Sequence, residues 1–83
     1  MKLLKLQADW CQPCKTLTKT MSEMEFNIPV EYVDIESQRD VAVMFGVRSI
    51  PTMILLDDDG SEIRRINGAV SKEQITEFLG AYH

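Results

Sequence analysis

The sequence predicts an α/β fold: a minimal β-α-β-α-β-β-α core with a four-stranded mixed sheet and flanking helices. Three observations carry this. Apolar runs of strand length over residues 3–7, 30–35 and 52–56 alternate with segments whose apolar residues recur at helical spacing. The short links of the first strand–helix–strand unit imply a right-handed parallel crossover. The turn Asp57-Asp58-Asp59-Gly60 between two later runs implies an antiparallel hairpin. At 83 residues the chain is one small domain, near the size at which a single core becomes marginal.

In chain order, residues 3–7 read as the first strand. Leu4, Leu6 and Ala8 fall on one face and Leu3, Lys5 and Gln7 on the other, so one face is apolar and the other mixed. A loop over 8–10 leads into a helix over 11–24. Cys14, Leu17, Met21 and Met24 share its inner side, while Lys15, Lys19 and Glu23 are solvated. The methionines read as adaptable core filler. Asn27-Ile28-Pro29 breaks that helix, and the β-branched residues of 30–35 form the second strand. Ser37 followed by Asp40 resembles a capping box with Asp in place of Glu, opening a short helix through Val41, Met44 and Phe45 that Gly46 stops. Residues 52–56 form a central strand, and 62–66 its shorter hairpin partner. Ser71-Lys72-Glu73-Gln74 is a capping box for a last helix burying Ile75, Phe78, Leu79 and Tyr82. His83 is a terminal residue with no expected role.

Composition excludes several functions. A net charge of −4 argues against nucleic acid or an anionic membrane as partner. No apolar run approaches the roughly 20 residues of a membrane span. The opening Met1-Lys2-Leu3-Leu4-Lys5-Leu6 begins like a signal peptide but is broken by Lys5, so a cytoplasmic protein is expected. The aspartates of 57–59 lack the spaced oxygens and terminal Glu of a calcium loop and read as a solvated turn. Two cysteines and one terminal histidine cannot close a four-ligand zinc site within one chain. No metal and no bound cofactor are expected.

Chemistry concentrates in Trp10-Cys11-Gln12-Pro13-Cys14-Lys15, which holds the only tryptophan and both cysteines. In a reducing compartment such a pair is catalytic or metal-binding more often than a structural staple. On a helix N-terminus this spacing puts Cys11 at the exposed tip and Cys14 about a turn inside, close enough to close a disulfide ring. Pro13 suits the first helical turn, where its missing N–H is not needed. The unpaired N–H groups and the helix dipole favour thiolate at Cys11. Cys11 is thus suited to attack and Cys14 to resolution, which makes the pair a redox dithiol.

The element order, with the dithiol at the first strand–helix junction, resembles the thioredoxin family over nearly the whole chain. Ala8-Asp9-Trp10-Cys11-Gln12-Pro13-Cys14-Lys15 is similar to that family's active-site segment, and Val47-Arg48-Ser49-Ile50-Pro51-Thr52 to the segment carrying its cis-proline. Asn67-Gly68-Ala69-Val70-Ser71-Lys72 is similar to its last active-site loop. The resemblance implies a cis Ile50–Pro51 bond facing the dithiol, with the Ile50 backbone free to pair with an extended substrate. Gly68 would allow close approach of a partner, and Trp10 would shield the thiol and form part of the partner surface. Several positions depart from the family. Gln12 replaces the usual glycine, Lys19 lies near the usual helix-kinking proline, and an N-terminal strand and helix are missing. Lys5 stands where a buried carboxylate is usual, and Tyr32 lies on the adjacent strand. Lys5 is expected to extend its ammonium outward along the mixed face. Lys5, Gln12 and Pro13 are therefore candidate modulators of the dithiol.

The function implied is reduction of protein disulfides by a monomer through Cys11 and Cys14, with a separate disulfide reductase regenerating the dithiol. The isoleucine before Pro51 and the proline before Cys14 resemble thioredoxin rather than glutaredoxin, so glutathione is not the expected reductant. The rival readings are a disulfide-forming oxidase, a thioredoxin-fold binding module or polymerase accessory subunit, and zinc binding, which would need a dimer to complete the ligand set. A reduction potential separates the first from a reductase. A double serine variant that keeps its biological activity would favour the second.

Overall fold

The computed structural model describes residues 1–80; Tyr82 and His83 lie outside the described residues. Seven elements follow in order: β1 (Lys2–Gln7), α1 (Gln12–Ser22), β2 (Val30–Asp34), α2 (Arg39–Met44), β3 (Thr52–Leu56), β4 (Glu62–Asn67) and α3 (Lys72–Leu79). They form one four-stranded mixed sheet of order β2-β1-β3-β4. β1 runs parallel to β2, with Lys5 opposite Tyr32 and Leu6 opposite Val33. It runs antiparallel to β3, with Lys5 opposite Met53 and Leu6 opposite Thr52. β3 and β4 make the hairpin, with a register shift at Leu55/Leu56.

The alternation of side chains along the two central strands divides the core. Leu3, Met53 and Leu55 point to one face, where Leu17 and Met21 of α1 and Ile75, Phe78 and Leu79 of α3 cover them. Leu4, Leu6, Ile54 and Leu56 point to the other, together with Val33 of β2, against Ala42 of α2. Every residue of β3 is buried, as a central strand covered on both faces should be. The edge strand β4 is mostly exposed, while β2 exposes Glu31 and Tyr32 and buries Val33.

Three local expectations change. The α-helical part of α1 ends at Ser22, two residues early. The N–H groups of Glu23 and Met24 reach back three residues, to the carbonyls of Thr20 (3.2 Å) and Met21 (3.0 Å), and this tighter turn closes the helix. Ser37 does not cap α2: the N-cap is Gln38, with no side-chain hydrogen bond. The Ser37 hydroxyl instead donates to the Asp34 carbonyl (3.5 Å), within a turn that the Asp34 carboxylate also fixes through the Glu36 N–H (2.9 Å). Met44 points outward with Val43, and Ala42 is the buried residue of that helix. The box at α3 forms in both directions, Gln74 N–H to Ser71 Oγ (3.2 Å) and Ser71 N–H to Gln74 Oε1 (2.9 Å).

Candidate functional site

The site lies where the C-terminal end of β1 meets the N-terminus of α1. Cys11 is the N-cap, with extended backbone angles of −87° and 107°. Gln12 and Pro13 form the exposed start of the first turn, where proline costs no hydrogen bond. Cys14 follows one turn in, its Cα 5.2 Å from that of Cys11, and the two sulfurs form a disulfide. The Cys11 sulfur also accepts the Cys14 N–H at 3.2 Å. A sulfur that caps a helix in this way holds negative charge more readily once reduced.

The expected exposed tip is not present in the disulfide form. Cys11 is 4% exposed and Cys14 2%, because the ring folds both sulfurs down against Ala8, with Ile35 and Ile50 packed on them. Ile35 was not singled out from the sequence. The parallel pairing of Gln7 with Asp34 carries it alongside Ala8, so the strand register was the signal.

Trp10 stands at the rim, 65% exposed, and its indole N–H donates to Glu36 Oε1 at 3.0 Å. The Ile50–Pro51 bond is cis. Pro51 is fully buried, and neither the N–H nor the C=O of Ile50 has a backbone partner among the described residues. The Gly68 N–H donates to the Pro51 carbonyl at 2.9 Å, tying the last loop to this segment. Gly68 has a φ of +92°, which L side chains rarely adopt, while the space where its Cβ would stand is open. Its carbonyl accepts the Val70 N–H (2.9 Å), so both backbone groups of Gly68 are paired, while the side where a Cβ would stand is open.

Lys5 overturns its expected placement: it is fully buried. β1 is a central strand, and the face that carries Lys5 is covered by α1. The ammonium donates to Thr18 Oγ1 (2.5 Å), the Cys14 carbonyl (3.3 Å) and Gln7 Oε1, and lies 5.3 Å from the centroid of the Tyr32 ring. Burial pushes its pKa down from 10.5 to about 8. Thr18, one turn beyond Cys14 on the same helix side, could have been found from spacing alone.

This shift has a consequence for stability. Between about pH 8 and pH 10.5 the unfolded chain holds a proton on Lys5 that the folded chain has released. The oxidised protein therefore gains stability from this residue as pH rises through that window, by about 1.4 kcal/mol per unit of the pKa gap. Urea unfolding at several pH values should show the rise in wild type and a flatter profile in Lys5→Met. Identical slopes would contradict a depressed Lys5.

Among the described residues no cluster of three or more His, Cys, Asp or Glu side chains could hold a metal ion. No helix there is long and apolar enough to cross a membrane.

A sequence model described as Thioredoxin matches residues 1–81. The chain is 40% identical over 68 residues to the SPbeta prophage-derived thioredoxin-like protein YosR of Bacillus subtilis, covering 82% of each chain. It is 35% identical over 78 residues to a thioredoxin of Pseudomonas aeruginosa, covering 89% of this chain and 71% of that one. Among solved structures, thioredoxin NaTrxh from Nicotiana alata superposes with a TM-score of 0.83 at 30% identity, over 99% of this chain and 73% of that one. With its helix-capping Cys11–Cys14 disulfide, the chain belongs to the thioredoxin family, as a thiol–disulfide oxidoreductase acting on protein disulfides.

Proposed function

We propose that Cys11 is the attacking thiol and Cys14 the resolving one, and that Trp10, Ile50, Pro51 and Gly68 hold the substrate. The observation that carries the assignment is the Cys11 sulfur at the N-cap of α1, accepting the Cys14 N–H. In the reduced protein the Cys11 thiolate attacks one sulfur of a substrate disulfide. That S–S bond breaks, a mixed disulfide forms, and the released substrate thiolate takes a proton from solvent. Cys14 then loses its proton and attacks the Cys11 sulfur, expelling the second substrate sulfur as thiolate. Two electrons pass to the substrate, and Cys11–Cys14 is left oxidised.

The unpaired Ile50 N–H and C=O suit an extended substrate strand laid beside the disulfide. The open side of Gly68, where no side chain stands, and the exposed Trp10 indole leave room for that substrate. The protein works as a cytoplasmic monomer, and a separate disulfide reductase restores the dithiol. An insulin-reduction assay driven by dithiothreitol tests the reading, with the reductase then supplied in place of the chemical reductant. Turnover well above the uncatalysed rate is expected. An uncatalysed rate from correctly folded, fully reduced protein would overturn it. Sedimentation at working concentration checks the monomer.

A further inference from the structure

One buried charge has no part in the exchange just described. Lys5 is the only charged side chain fully buried among the described residues, and it lies beneath the first turns of the helix that bears the dithiol. We propose that Lys5 is a positioning residue whose ammonium holds the start of α1 on the sheet and raises the thiolate share of the reduced Cys11–Cys14 pair. The inference rests on reading that pair as the redox centre.

The geometry supports both parts. The ammonium bonds the main-chain oxygen of Cys14 itself, and also Thr18 one turn further along α1, so two successive turns are fixed to β1 through a single atom. Its contact with Gln7 keeps it beside the strand end from which the dithiol loop departs. The charge is therefore within one residue of the resolving sulfur, in a place that water screens poorly. Around it, β3 presents the apolar Met53, β2 the Tyr32 ring, and α1 the Cys14 carbonyl and the Thr18 hydroxyl. A cleft of about 320 Å³ opens beside it, lined by Gln7, Ala8, Asp9, Cys14, Lys15 and Thr18. Asp9 and Lys15 bring opposite charges to that cleft at the surface, where solvent screens them. An ammonium that already carries its proton cannot accept another. The proton that Cys14 loses on resolution therefore leaves to water, for which the cleft is the open route.

Two measurements without any substrate test this. In the reduced protein, Lys5→Met and Lys5→Gln should raise the apparent thiol pKa by roughly one unit, read from the pH dependence of alkylation. Gln keeps a donor for the Cys14 carbonyl and removes only the charge, so it separates the two parts of the role. In wild type the coupling must be reciprocal: the Lys5 pKa, followed by NMR at its side-chain carbons, should be higher in the reduced than in the oxidised protein. That experiment needs no variant to fold. An unchanged Lys5 pKa on reduction, or folded variants with the wild-type thiol pKa, would overturn the proposal. These readouts stand apart from the insulin assay, so failure of the reductase reading would be seen there and not here.

Discussion

Replacing Cys11 by serine will reduce disulfide-reducing turnover to the uncatalysed background, while Cys14→Ser will leave the first attack and stop the second. The asymmetry follows from position. The Cys11 sulfur is the one on the helix N-terminus, where the Cys14 N–H and the helix dipole favour its thiolate. A serine hydroxyl there stays protonated at neutral pH and forms no mixed disulfide. With Cys14 gone, the mixed disulfide on Cys11 has no internal thiolate to displace it and accumulates as a covalent adduct with the partner. Mass spectrometry of the reduced variants mixed with a disulfide substrate reads both outcomes. An adduct on Cys14 in the Cys11→Ser protein, with none on Cys11 in the other, would reverse the assignment. Both variants should fold, since each sulfur-to-oxygen change is small.

The largest loss of stability is expected from Leu17→Ala. Leu17 is fully buried on α1, in the cluster with Leu3, Met53, Leu55, Ile75 and Leu79, so truncation opens a cavity between α1, the sheet and α3. Such changes cost about 2–5 kcal/mol. A domain of this size has roughly 4–12 kcal/mol in total. The variant should unfold at much lower denaturant, and its reductase activity should fall with the folded fraction, because α1 carries Cys14. Val43→Ala, on the outer side of α2, should stay within about 0.5 kcal/mol of wild type. A Leu17→Ala protein as stable as that control would mean that the α1 face is not packed as described.

The parts legible in the sequence are those that local patterns decide. All seven elements were readable from periodicity and turn residues, because each central strand alternates between two covered faces and each long helix has one apolar side. The α3 box was readable because Ser71 and Gln74 satisfy each other without outside help. The dithiol was legible from spacing and from Pro13. Side-chain fates decided by tertiary contact were not. Lys5 lies on a strand face that looked half-polar, and its burial depends on acceptors supplied by Thr18 and the Cys14 carbonyl across the layer. Ser37 matched a cap pattern, yet Asp34 earlier in the chain had already set the turn. The burial of Cys11 depends on Ile35 and Ile50, brought from two later segments onto the closed ring.

The antiparallel pairing of β1 with β3 separates the molecule into two ends. Leu6 opposite Thr52 puts the departure of the dithiol loop beside the Ile50–Pro51 segment, while Lys2 opposite Leu56 marks the far end of the same ladder. Four residues of strand, about 13 Å, separate these points. The Asp57-Asp58-Asp59-Gly60 turn caps the far end, fully exposed and closed by its own bonds, Asp57 N–H to Ser61 and Gly60 N–H to Asp57. Residues inserted there would lengthen a hairpin already open to water and leave the dithiol untouched. That turn is the natural place to attach an affinity tag, a fluorophore or an electrode linker, with the reactive end facing away from the support.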